Sequence, residues 1–114
     1  MQKLLAIFSL VLMLCACDMQ QQPSQLAHIK AQNKNRVGTL AGASNYYQAP
    51  QGVQGFEYEL AQEFADYVGV ELEMVPFFNL SDMFARLESG DLDIIASGLT
   101  YNTIRAEHYR FGPT

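Results

Sequence analysis

Apolar positions fall into blocks of different period, separated by clusters of Gly, Pro, Ser and Asn. Leu4 to Leu14 is apolar with no period. Leu26 to Lys34 reads as a short amphipathic turn, with Leu26, Ile29 and Ala31 on one side. Arg36 to Ala41 reads as the first strand, with Val37 and Leu40 apolar. Gly42 to Gly55 reads as a loop rich in Gly, Gln and Ser, and Gln51-Gly52 after Pro50 marks a turn within it.

Gly55 to Val68 is the clearest helix. Phe56, Leu60, Phe64 and Val68 recur every four residues, and Ala61 and Ala65 widen that stripe. Glu57 and Glu59 fall in its first turn, where the helix dipole favours negative charge. Gly69 is placed to end it. Val70 to Phe77 alternates apolar Val70, Leu72 and Met74 with Glu71 and Glu73, as a second strand does, and Pro76 is expected to stop it. Asn79 or Ser81 caps a helix over Leu80 to Ser89, whose stripe is Leu80, Met83, Phe84 and Leu87, with Gly90 as its stop. Asp91 to Ala96 reads as a third strand. Its near-continuous apolar centre suits a parallel strand covered on both faces. Thr103 to Tyr109 forms a short helix, and Phe111 is expected to return to the core. The order predicts an α/β fold with a parallel β-α-β-α-β core and right-handed crossovers.

Composition changes the picture mainly at the N-terminus. Lys3, the apolar run and the small Ala16 before Cys17 read as an export signal of lipoprotein type over residues 1–16, with Cys17 as the lipid acceptor. Residues 17–25, polar and rich in glutamine, then form a tether, and residues 26–114 the folded part. With Cys15 in the signal and Cys17 acylated, the fold relies on its core rather than on a disulfide. Of seven Lys/Arg and twelve Asp/Glu, the signal holds one, Lys3. Six cations against twelve acids leave about −6, and there is no basic run or aromatic–basic interleaving, so the pattern excludes a nucleic-acid binder. Membrane attachment is expected through the lipid, in the periplasm.

The richest stretch is Asp93 to Arg105, DIIASGLTYNTIR. An apolar strand ends at Ser97-Gly98 and continues through Thr100, Asn102 and Thr103 to Arg105. Such a loop gathers backbone N–H groups, hydroxyls and a planar guanidinium, and so suits a small carboxylate. Its residues equally suit an ordinary βα loop. Tyr46-Tyr47 can supply an aromatic wall or pack the loop. Glu57 can meet a ligand amine or simply complement the dipole. Asp91 and Asp93, expected on one face, read as capping or solvating a strand start rather than as an acid–base pair. His28 and His108 lack partners at metal-ligand spacing and read as surface or packing residues. Ser97 lacks a G-x-S-x-G context, and the glycines form no phosphate loop. No catalytic residue, metal site or cofactor is expected within these residues.

GFEYELAQEFADYVGVELE, followed by GDLDIIASGLTYNTIRAEHYRFGPT, resembles the first lobe of bacterial family 3 extracellular solute-binding domains. ELAQEFADYVGVEL, ASGLTYNTIR and YRFGPT are similar, more narrowly, to the N-terminal region of membrane-bound lytic murein transglycosylases. The resemblance implies the first lobe of a periplasmic-binding-protein type II fold, incomplete here, with a second lobe outside these residues. It implies a regulatory ligand-binding module attached to a lysozyme-like domain that acts on peptidoglycan. The alternative it allows is the substrate-binding lipoprotein of an amino-acid ABC transporter. Arg105 then resembles the arginine that pairs with an amino-acid carboxylate, Thr100 and Ser97-Gly98 the groups completing that clamp, and Tyr46 or Tyr47 the aromatic wall. The implied ligand is a small carboxylate, an amino acid or a cell-wall peptide. Two departures stand out: Ile104 precedes Arg105 where receptors carry an acid, and no acidic residue lies between Thr39 and Tyr46 to hold an ammonium.

Overall fold

The computed structural model describes residues 23–113 together with Met1. The expected signal, Cys17 and most of the tether lie outside the described residues. A three-stranded parallel sheet forms the centre, in the order β4–β1–β5. Its strands are β1 (Lys34–Leu40), β4 (Glu71–Phe77) and β5 (Ile94–Ile95). Between β1 and β4 come a hairpin, β2 (Tyr47–Ala49) and β3 (Gly52–Gln54), and helix α2 (Phe56–Val68). Helix α1 (Gln25–Gln32) precedes the sheet, α3 (Leu80–Glu88) links β4 to β5, and α4 (Thr103–His108) follows. Among the described residues no helix is long and apolar enough to cross a membrane.

β1 pairs with β4 along its whole length, from Lys34↔Glu71 to Leu40↔Phe77, and with β5 at Val37↔Ile94 and Gly38↔Ile95. The chain moves from β1 to β4 on one side, then crosses back over β1 to β5. Right-handed crossovers in opposite directions place α2 and α3 on opposite faces. Gly38 lets α3 and the approach to β5 come close: a Cβ there would lie 2.6 Å from Leu92 and 3.1 Å from Met83, both buried.

Element ends follow local chemistry. Ser24 caps α1 by accepting from Ala27 N–H, and Asn33 closes it in a left-handed conformation. Gly69 (φ +80°) ends α2 as expected, and Asn79, not Ser81, caps α3.

Four expectations need correction. Only the alanine edge of the apolar stripe of α2 is buried: Ala61 and Ala65 are buried together with Glu57, whereas Phe56 is 69% exposed, Leu60 50% and Phe64 38%. A rotation of one residue, roughly 100°, separates the two faces. The small alanines, rather than the large side chains, are on the face that approaches β1 and β4. Pro76 does not stop β4. It sits within the strand opposite Thr39, where an edge position tolerates a missing donor. The expected third strand shrinks to Ile94–Ile95, although Asp93 N–H and Ala96 N–H still donate to Arg36 and Gly38 carbonyls of β1. Phe111 stays half-buried and stacks edge-on against exposed Tyr101, at 5.1 Å between centroids, outside the core.

The loop expected over Gly42–Gly55 also contains more order than its composition suggests. Pro50-Gln51 turns the β2–β3 hairpin, and Gly55 (φ +136°) passes so close to Asn45 that a Cβ would meet its carbonyl oxygen at 2.2 Å.

Candidate functional site

The direction of travel through the sheet reverses at β1, so a crevice opens beyond the C-terminal ends of β1 and β5, where open α/β sheets take ligands. Ser97 stands just past β5. Its hydroxyl accepts from Leu40 N–H at the end of β1 (2.9 Å) and from Asn45 Nδ2 (3.5 Å), joining the two strand ends to the following loop. Gly98 adopts φ +57°, which favours glycine. A Cβ on Gly98 would lie 3.5 Å from Glu57 Oε1, so the first turn of α2 faces this loop.

Asn102 caps α4 by accepting from Arg105 N–H at 2.8 Å. Arg105 Nη1 donates to the Thr100 carbonyl at 3.0 Å, and the guanidinium carbon lies 5.9 Å from the Phe84 ring centre. A guanidinium carries five N–H donors, so one such bond leaves capacity for an oxyanion. Ser97, Gly98 and Thr100 thus lie on the loop between β5 and α4, Arg105 in α4 reaches back to it, and Glu57 lies beside Gly98. The tyrosines separate. Tyr46 is half-buried and packs edge-on to Tyr58 of α2 at 6.1 Å. Tyr47 belongs to the hairpin and donates to Gln54 Oε1 at 2.9 Å.

A groove of about 1200 Å³ borders β5, walled by Leu60, Phe64, Leu92, Glu57, Ser97 and Gly98 among others. Thr100, Arg105, Tyr46 and Tyr47 are not in its wall.

At the opposite end of β5 sits the strongest electrostatic feature. Asp93, read from the sequence as capping or solvating the strand start, has a fully buried side chain. Arg36 grips it through Nε (3.0 Å) and Nη2 (2.8 Å), and Arg36 N–H donates as well. Gln25 and Gln32 of α1 add amide donors, and His28 Nε2 lies 4.0 Å away, its side chain half exposed. Burial alone would raise the Asp93 pKa. The side-chain and backbone bonds from Arg36 outweigh it and hold the carboxyl below its ordinary value, while the same contact raises the arginine. Asp91, by contrast, is exposed and pairs with Arg86 at 2.9 Å. Spacing alone could not distinguish these two acids, since the partner of Asp93 lies on another strand.

Comparison with known proteins agrees with this architecture. Residues 36–114 match the bacterial extracellular solute-binding proteins, family 3. Over 113 residues the chain is 77% identical to the membrane-bound lytic murein transglycosylase F of Pseudoalteromonas translucida, covering 99% of this chain and 24% of that protein. It is 41% identical to the protein of the same name from Idiomarina loihiensis, covering 95% of this chain and 25% of the relative. The chain therefore spans about a quarter of the length of these relatives. An ancestral cationic amino acid solute binding protein superposes with a TM-score of 0.66 at 31% identity, over 74% of this chain and 37% of the other. The arginine-bound form of domain 1 from TmArgBP gives 0.63 at 29% identity, over 70% and 64%. The α/β fold is that of the first lobe of a type II periplasmic binding protein, and the chain belongs to family 3 of the bacterial extracellular solute-binding proteins.

Proposed function

We propose that this chain is the ligand-binding, regulatory module of a membrane-bound lytic murein transglycosylase, whose catalytic domain lies outside these residues. The observation that carries the reading is the 77% identity over 113 residues with a protein of that name. Ser97, Gly98, Thr100 and Arg105 form the carboxylate-binding loop, and Tyr46 is better placed than Tyr47 to border it through its contact with α2. The ligand is a small carboxylate, an amino acid or a cell-wall peptide, in keeping with the arginine held by one superposable domain. Residues 1–16 direct export and Cys17 carries lipid, so that the polar residues from Cys17 to Pro23 tether the lobe to the membrane on the periplasmic side; Ser24 and Gln25, expected in the tether, belong instead to α1 as its cap and first residue.

Two experiments test this reading. Titration of the lipid-free protein with amino acids and stem-peptide fragments should identify a carboxylate ligand. Its affinity should fall on Arg105→Ala by on the order of 2–3 kcal/mol, the value of a charge-assisted bidentate contact. Unchanged affinity removes Arg105 from the site. Labelled palmitate should be incorporated into the exported chain and not into Cys17→Ser; equal labelling of both rules out Cys17 as the acceptor. The transporter alternative would be favoured instead if the gene encoded a second lobe and then stopped, without a lysozyme-like domain.

A further inference from the structure

Helix α1 is fastened to the lobe along a single stripe. Of its eight residues only Ile29 is buried, and the other seven are exposed. Gln25, His28 and Gln32, at i, i+3 and i+7, fall on one face. All three meet the Asp93 carboxylate, the amides donating at 2.9 and 3.1 Å and His28 Nε2 standing 4.0 Å away. A helix this short is marginal on its own, and one buried isoleucine offsets only part of the entropy lost in ordering it. The polar stripe is therefore the latch, and it closes on a carboxylate that Arg36 of β1 fixes without help from α1.

The helix also ends where the sheet begins. Asn33 turns the chain at φ +54°, and its carbonyl accepts from Glu71 N–H at 3.1 Å, next to the first pair of the β1–β4 ladder. Everything before Asn33 can move without breaking a strand. We propose that α1 is a releasable strap, which unlatches from Asp93 about Asn33 while the sheet stays folded and so lengthens the tether between membrane and lobe. Eight residues of helix span about 12 Å, and the same residues extended span at most about 29 Å. Leu26 and Ile29 border the groove beside β5, so release also opens that end of the groove. The added reach rests on the reading of Cys17 as lipid acceptor, whereas the release itself does not.

Native-state hydrogen exchange of the exported chain tests the release. The amides from His28 to Asn33, which close α1, should exchange at least about tenfold faster than those of β1. The double variant Gln25→Ala/Gln32→Ala removes two donors to a charged acceptor and leaves the arginine pair intact. It should speed α1 exchange by at least about a further tenfold, with β1 unchanged. Wild-type α1 amides that exchange together with those of β1, in one global opening, overturn the strap. So does a double variant that speeds both sets equally, which makes the glutamines supports of the whole lobe, or one that speeds neither. Reach is read by energy transfer from a dye on Ala85→Cys, on the exposed side of α3, to acceptors in a bilayer carrying the lipidated chain. The double variant should stand farther from the bilayer than the wild type. Equal distances alongside fast α1 exchange overturn the lengthening of the tether. A chain that takes up no palmitate removes the lipid reading and the reach with it, and exchange alone then decides the release.

Discussion

Asp93 shows how much one side chain can carry. Its carboxylate is fully buried and takes donors from Arg36, Gln25 and Gln32. Removing one partner of such a pair leaves the other charge uncompensated, so Asp93→Ala should cost about 3–5 kcal/mol in denaturant unfolding. The pair also sets an acid limit. Its folded pKa lies below the ordinary 3.8, so its contribution is fully present above that value. That contribution is lost as pH falls from about 4 through the depressed folded value. Wild-type unfolding free energy should decline in that window, and more steeply than that of Asp93→Asn. Thr39 offers the opposite case: its hydroxyl is buried with no partner among the described residues. Thr39→Val, of nearly the same shape, should be neutral or stabilising in thermal melts.

At the scale of elements, α2 shows where a sequence pattern stops being informative. Its limits, its acidic first turn and its Gly69 cap were legible, because each depends on residues within a turn of the helix end. The buried face was not. A spacing of four fits Phe56-Leu60-Phe64 and Glu57-Ala61-Ala65 equally well, and hydrophobicity favours the wrong row. Helix–sheet distance decides between them, and that is a tertiary property. The two rows should respond differently to substitution. Phe64→Ser should change the stability of this chain by no more than about 0.5 kcal/mol, whereas Ala65→Leu, on the fully buried row, should cost about 1–3 kcal/mol. Chemical denaturation of both variants checks the assignment, and the reverse order would put the phenylalanines back in the core. The hairpin was missed for a similar reason. Its turn signal at Pro50-Gln51-Gly52 was visible, but strands of three residues are too short to show a period.

At the scale of the molecule, the α/β order and the parallel sheet were readable because apolar runs of different period alternate along the chain. The loop after β5 was readable as a loop because its polar residues are contiguous. What lay beyond reach were the meetings of distant segments: Ser97 with Leu40, Glu57 with Gly98, and Asp93 with Arg36. The last of these bears on the order in which the lobe can assemble. α1 and the start of β1 are synthesised first, but Arg36 finds its acid 57 residues later and Gln25 finds it 68 residues later. No earlier acid can replace Asp93 in the β5 register. The N-terminal helix can pack on β1 as soon as both exist, but its side-chain bonds to Asp93 form only after the third strand has been made. The polar contacts that fasten the first segment of the lobe thus span most of its length, and non-local closure of this kind slows folding.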